Sequence, residues 1–194
     1  GTDDDEVEGE IADAELFGRD LWLVHVLQMA MGAGSCVLMA GATGLIFGRS
    51  AGLVAGAGLA LYPPAIFFDG LLGKTVLDLL LTSGLLCLLA AFQRSRRGGL
   101  LVAAGCVLGL LALTRENTLV FVAALPFWLW LRFADASRRR RAGWLLAFGL
   151  GVALLLLPVG ARNYAVGRTF ALTTAQLGPN FYMVNNAEAT GLYV

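Results

Sequence analysis

Tyr62-Pro63-Pro64-Ala65-Ile66-Phe67-Phe68-Asp69-Gly70-Leu71-Leu72-Gly73-Lys74-Thr75 is the stretch that decides how this chain folds. Two consecutive prolines remove two backbone donors and bias Tyr62 away from helix, so a helix arriving there breaks before its end. An uncharged run from 50 to 68 leads into the break, and another from 79 to 93 follows beyond Lys74 and Asp78. Irregular backbone between two such runs is tolerated at membrane depth only where it is buried in protein or lines a wet cavity. The stretch therefore predicts a membrane protein with a broken helix facing something polar.

Outward from this hinge the same pattern repeats. Further uncharged runs cover 21 to 48 (interrupted by His25 alone), 98 to 114, 117 to 131 and 142 to 161. A crossing helix needs about 20 residues, with about 17 tolerated. The run 79 to 93 reaches that length by extending back through Lys74 and Asp78 to Gly70. The run 117 to 131 gains length because Arg132 can snorkel toward the headgroups. The expected fold is all-α and polytopic, with six transmembrane helices. Residues 1–20 form an acidic external segment, 21–161 the transmembrane domain and 162–194 an external loop.

Composition agrees. Of 194 residues, 58% are hydrophobic and only 14% charged, with 14 basic against 14 acidic side chains and a mean hydropathy of +0.73. Soluble domains run nearer 45–50% apolar and about 25% charged, so an ordinary globular domain, a disordered chain and a nucleic-acid binder are excluded. Cys36, Cys87 and Cys106 lie inside apolar runs, where a free cysteine behaves as a small hydrophobe, and they imply neither a disulfide framework nor a metal site. The acidic start (Asp3, Asp4, Asp5, Glu6, Glu8, Glu10) has the wrong charge for a signal peptide. Opening at Gly1 without Met and stopping at Val194 in a polar loop, the chain reads as a fragment.

Arginine placement orients the spans. Arg49, then Arg94, Arg96 and Arg97, then Arg132 and Arg138 to Arg141 fall in alternate loops, nine of the 14 basic residues on one side. The positive-inside rule makes that side cytoplasmic and puts both ends of the chain outside. The outer face then receives Asp69-Gly70, Arg115-Glu116-Asn117 and the tail from Arg162 onward.

Several outer residues are candidates for chemistry. Lys74, four residues past the turn, is expected about 6 Å inside the next helix, where charge is costly and marks a functional site by default. Its structural alternative is neutralisation by Asp78 at i+4. Arg115, held in a short turn, offers a planar fork of donors matched to phosphate or carboxylate; its structural alternative is a pair with Glu116. His25 has no visible metal partner and reads as a packed or hydrogen-bonded residue. The tail, with Arg162, Asn163, Tyr164, Asn180, Tyr182, Asn185 and Asn186, mixes amides and aromatics. Such a mixture suits hydroxyl-rich ligands and equally suits a tightly turned surface loop. No zinc spacing, P-loop, GxGxxG or nucleophile elbow occurs.

Gly48-Arg49, Leu61-Tyr62-Pro63-Pro64-Ala65-Ile66-Phe67-Phe68-Asp69-Gly70, Leu113-Thr114-Arg115-Glu116-Asn117, Pro158-Val159-Gly160-Ala161-Arg162-Asn163-Tyr164, and Asn180-Phe181-Tyr182 with Asn185-Asn186 occur in that order. Over about residues 17 to 194 the chain thereby resembles bacterial glycosyltransferases of the protein-mannosyltransferase-like family, polytopic enzymes of the GT-C fold. The resemblance implies transfer of a sugar from a polyprenyl-phosphate donor to a protein or glycolipid acceptor on the outer side of the bacterial inner membrane. It also implies a preceding helix and external loop that carry the acidic catalytic residue. Residues 1 to 16 lack the aromatic, proline-rich stretch that accompanies that residue, so the role is not carried onto Asp3, Asp4, Asp5 or Glu6. The catalytic residue is expected to be missing and this chain alone to be inactive. Members often carry Glu near position 74, where this chain has Lys74, which suggests a subgroup.

Cleaving a sugar from its phosphate carrier makes an oxocarbenium-like centre and a phosphate leaving group, and so calls for cations and a carboxylate base. Lys74, Arg115 and Arg162 are the expected phosphate ligands. Asp69, Glu116, Asn163, Tyr164, Asn180, Tyr182, Asn185 and Asn186 are the expected substrate contacts. A divalent cation would assist at the phosphate, although no residue pattern demonstrates a metal site. The competing function is a secondary transporter, motivated by the broken helix with Lys74 and Asp78; that mechanism predicts a second broken helix in a later span, for which Pro126 and Pro158 are the candidates. A membrane scaffold would leave the outer polar residues without a role.

Overall fold

The structure, a computed structural model, describes residues 21–71 and 73–167, and every regular element among them is helical. In chain order these are α1 (Leu21–Phe47), α2 (Arg49–Ala60), α3 (Pro63–Asp69), α4 (Thr75–Ser95), α5 (Gly98–Thr114), a 3-10 turn (Glu116–Leu119), α6 (Val120–Arg132) and α7 (Arg138–Gly167). Each apolar run of the sequence has become a helix. By length and composition α1, α4 and α7 are able to cross a membrane, and α2 with α3, bent by 55° at the break, is long and apolar enough to make a fourth crossing if the pair is one span rather than a re-entrant loop. The 17 residues of α5 span about 25 Å at 1.5 Å each, the short limit for a crossing. The 13 residues of α6 follow directly on the 3-10 turn.

The bend falls where the prolines put it. Tyr62 is extended (φ −77°, ψ 111°), and Pro63 and Pro64 open α3 at its first positions, where a missing N–H costs nothing. Pro126 and Pro158, by contrast, sit inside α6 and α7, which continue through them. Gly48 joins α1 to α2 at φ +96°, a backbone conformation that side chains rarely adopt.

The helices stand in the spatial order α2, α1, α4, α5, α7, α6. Glycines set the spacing. A Cβ added at Gly105 would collide with the Phe148 carbonyl, and one at Gly151 with the Val102 carbonyl, so α5 and α7 touch backbone to backbone. Gly52 and Gly56 of α2 do the same against Gly44, Ala40 and Cys36 of α1. Small residues at crossings are how membrane helices gain van der Waals contact where lipid supplies no hydrophobic drive between them. The pairings Gly34 with Leu80, Leu38 with Gly84 and Gly41 with Cys87 show α1 and α4 running parallel, and Gly105 with Gly151 and Gly109 with Leu155 show the same for α5 and α7.

The core lies between α4, α5, α6 and α7, on Leu101, Ala104, Leu108, Leu129 and Phe148. At one end Phe92, Phe133 and Trp144 pack edge to face, with ring centroids 5.1–5.7 Å apart. Arg96 caps α4 in the left-handed conformation (φ 55°) and lays its guanidinium 3.9 Å from the centre of the Phe133 ring, with Asp135 at 3.7 Å. Arg141 lies over Trp130 at 4.4 Å and donates to its carbonyl at 3.1 Å. Arg49, Arg94 and Arg138–Arg141 occupy helix termini at the same end. Outward faces such as Leu53, Val54, Phe47, Leu146 and Leu154 are exposed and apolar, as a lipid-facing surface requires.

Two boundaries differ from the sequence expectation. The helix after the hinge begins at Thr75, with Lys74 at its N-cap rather than a turn inside. At the other end α7 runs on to Gly167, so Arg162, Asn163 and Tyr164 lie on a helix instead of in a loop.

Candidate functional site

Opposite the aromatic end, the termini of α1, α3, α4 and α5 bring together the polar residues of the apolar runs. Arg115, just past the end of α5, donates from Nε to Asp78 Oδ2 at 2.6 Å. Lys74 donates from Nζ to the carbonyl of Thr114, the residue before Arg115, at 2.9 Å. Both cations therefore sit in the α4–α5 seam. The sequence had offered Glu116 as the partner of Arg115, and Asp78 as that of Lys74. The fold exchanges them: antiparallel packing of α4 and α5 carries Asp78 across to Arg115, and the N-cap position lets Lys74 reach the last carbonyls of α5.

Asp69, at the end of α3, presses its carboxylate against Gly32 of α1, where a side chain would collide with it. One turn earlier on α1, Gln28 donates from Nε2 to the carbonyls of Leu71 at 2.8 Å and Gly73 at 3.4 Å, fastening the α3–α4 connection. Gln28 is buried, and the α1–α4 register makes it level with Lys74. Three buried acceptors in this region, Gln28 Oε1, Asp69 Oδ1 and Asp78 Oδ1, have no hydrogen-bond partner among the described residues. Buried acceptors of this kind ordinarily find a donor. Two cavities of about 220 Å³ each adjoin α3 and share Leu59, Ala65, Asp69 and Leu79 in their walls.

Arg162 reaches the same level by another route. The α5–α7 register puts Thr114, the last residue of α5, level with Gly160, two residues before Arg162. Arg162 and Tyr164 are exposed on α7, and Asn163 is half-buried between them. Glu116 starts the 3-10 turn beside Arg115. Asn180, Tyr182, Asn185 and Asn186 lie outside the described residues, as does the acidic start. Among the described residues no group of three His, Cys, Asp or Glu side chains comes together as a metal site.

Gln28 is the functional candidate that the sequence reading passed over. Its signal in the sequence is a polar amide inside the uncharged run from 21 to 48, one turn after His25. A neutral amide breaks no hydropathy count, yet at membrane depth it must find partners.

Helices that cross in series, a proline break that lodges a carboxylate against a neighbouring backbone, and cations gathered at one end of the seam define a multi-pass membrane protein with a polar site at its boundary. A family profile for dolichyl-phosphate-mannose-protein mannosyltransferases matches residues 12–161, and the chain belongs to that family. It is thus a glycosyltransferase-family protein of the GT-C type, as the ordered motifs had implied. No curated protein and no solved structure matches.

Proposed function

We propose that the protein transfers a sugar from a polyprenyl-phosphate carrier to a protein or glycolipid acceptor on the extracytoplasmic side of a bacterial inner membrane, with both ends of this chain on that side. The observation that carries the reading is the meeting of Lys74, Arg115 and three unsatisfied buried acceptors at one end of α1, α4 and α5. In the reaction the bond between the anomeric carbon and the phosphate oxygen breaks, and the phosphate leaves with the electron pair. The acceptor hydroxyl oxygen bonds to that carbon and gives its proton to a carboxylate.

Lys74, Arg115 and Arg162 hold the phosphate in this scheme. Arg115 commits only its Nε to Asp78 and is 49% exposed, so its terminal nitrogens remain for the leaving group; Asp78 fixes the plane of the fork. Asp69, Glu116, Asn163 and Tyr164 contact the sugar and acceptor, joined from the tail by Asn180, Tyr182, Asn185 and Asn186. The apolar cavity lined by Leu59, Pro64, Phe68 and Val76 offers the adjoining lipid a dry surface.

The test is donor binding and transfer by the full-length protein in membranes, with polyprenyl-phosphate mannose as the probe. Saturable binding, lowered by Lys74→Ala and Arg115→Ala, supports the assignment. Absence of donor affinity, with a solute accumulated in proteoliposomes instead, would replace it with the transporter reading that the α2–α3 break motivates.

A further inference from the structure

At the arginine-rich end, away from the proposed sugar site, an open cavity of about 740 Å³ lies between α1, α2 and α4. Arg49, the first residue of α2, and Arg94, in the last turn of α4, both line it. Neither has an acidic partner or a hydrogen bond among the described residues, whereas Arg96 and Arg141 at the same end are each laid over an aromatic ring. The remaining wall is apolar. Gly41 and Gly44 remove side chains from α1, and Leu45 and Leu53 line the cavity beside them, Leu53 at its open, outward side with 64% exposure.

We infer that this cavity is a binding site for one anionic phospholipid, with its phosphate between the guanidinium groups of Arg49 and Arg94 and an acyl chain along the glycine-lined wall. Charge decides the sign of the ligand. Two cations share a cavity that no acidic side chain lines, and a phosphodiester accepts planar donors from both. Depth decides that it is a lipid. Both arginines stand at the ends of apolar helices, where a crossing helix meets the headgroup region, and the wall behind them is apolar. A free phosphate gains nothing from that wall, while a diacyl lipid fills it. A zwitterionic lipid brings its own cation into a site that already holds two.

Native mass spectrometry of the purified full-length protein in phosphatidylcholine nanodiscs, titrated with phosphatidylglycerol, tests the assignment. One phosphatidylglycerol should be retained per protein, and the Arg49→Gln/Arg94→Gln variant should bind it at least about tenfold more weakly. Arg138→Gln/Arg139→Gln, which removes the same charge elsewhere at that end, should bind as the parent does. Leu53→Trp keeps both arginines but crowds the open side of the cavity, and it should also weaken retention, so the idea stays testable if the double glutamine variant folds poorly. Glycerol phosphate, the headgroup without chains, should not displace the lipid at equal concentration. Undiminished binding in both cavity variants, equal retention of phosphatidylcholine, or displacement by glycerol phosphate would overturn the assignment, the last by showing a free-anion site.

Discussion

Arg115 Nε and Asp78 Oδ2 lie 2.6 Å apart although 37 residues separate them in the chain. The pair ties the end of α5 to the first turn of α4 and neutralises a carboxylate whose side chain is only 12% exposed. Replacing Asp78 by Asn leaves Arg115 facing a neutral amide. The expected loss is about 1 to 3 kcal/mol, toward the lower figure because Arg115 is half exposed. A double-mutant cycle with Asp78→Asn and Arg115→Gln, read by thermal melting in detergent, should return a coupling energy clearly above error. Additive losses would mean that the two side chains do not meet in the membrane.

Among the described residues Lys74 makes one side-chain hydrogen bond, to the Thr114 carbonyl, and it is exposed. Lys74→Met should therefore leave the melting temperature nearly unchanged while weakening binding of a polyprenyl-phosphate donor by roughly 10- to 100-fold, the loss of one charge-assisted contact. A variant that binds donor as tightly as the parent would remove Lys74 from the phosphate site.

Gly151 touches the backbone of α5, while Gly149 on the same helix has open space around it. Gly151→Leu should separate α5 from α7 and cost about 1 to 3 kcal/mol or prevent folding; Gly149→Ala should be neutral or slightly stabilising through helix propensity. Fluorescence-detected size exclusion after heating distinguishes the two. Equal stability of both variants would contradict the backbone contact.

Topology is checked with a single reporter. With Cys36, Cys87 and Cys106 replaced by Ala, a cysteine at the exposed Arg139 position should react with an impermeant maleimide only after the inner membrane is opened, because the arginine end is expected inside. Labelling in intact spheroplasts would invert the assignment and move the sugar site to the cytoplasmic face.

Much of the helical layout was legible because hydropathy is a one-dimensional property. Runs without charge became helices, and the break came at Tyr62 because proline acts on its immediate neighbours. Partnership was not legible in the same way. Adjacency suggested Glu116 for Arg115, yet a residue 37 positions away wins because two helices pack antiparallel, and helix order in space is decided by glycine contacts that no local pattern reveals. The end of α7 was misjudged for a related reason: Arg162 interrupts an apolar run without interrupting a helix, since a long charged side chain on a helix end extends into the headgroup region. Gln28 leaves no mark on a charge count because its amide is neutral.

Helix α4 is pinned at both ends, by Arg115 on Asp78 at one and by Arg96 on Phe133 at the other. Sliding it by a single residue, about 1.5 Å, would break both attachments at once. It therefore stands as a fixed strut between the α1–α2 side and the α5–α7 side, and the shortest helix beside it is the more easily displaced. That helix is α3, seven residues hinged at Tyr62, with Asp69 seated on Gly32 and the connection beyond it fastened by the amide of Gln28. Swinging this short arm would carry Asp69 out of its seat on Gly32 while Lys74 and Arg115 stayed with the α4–α5 seam.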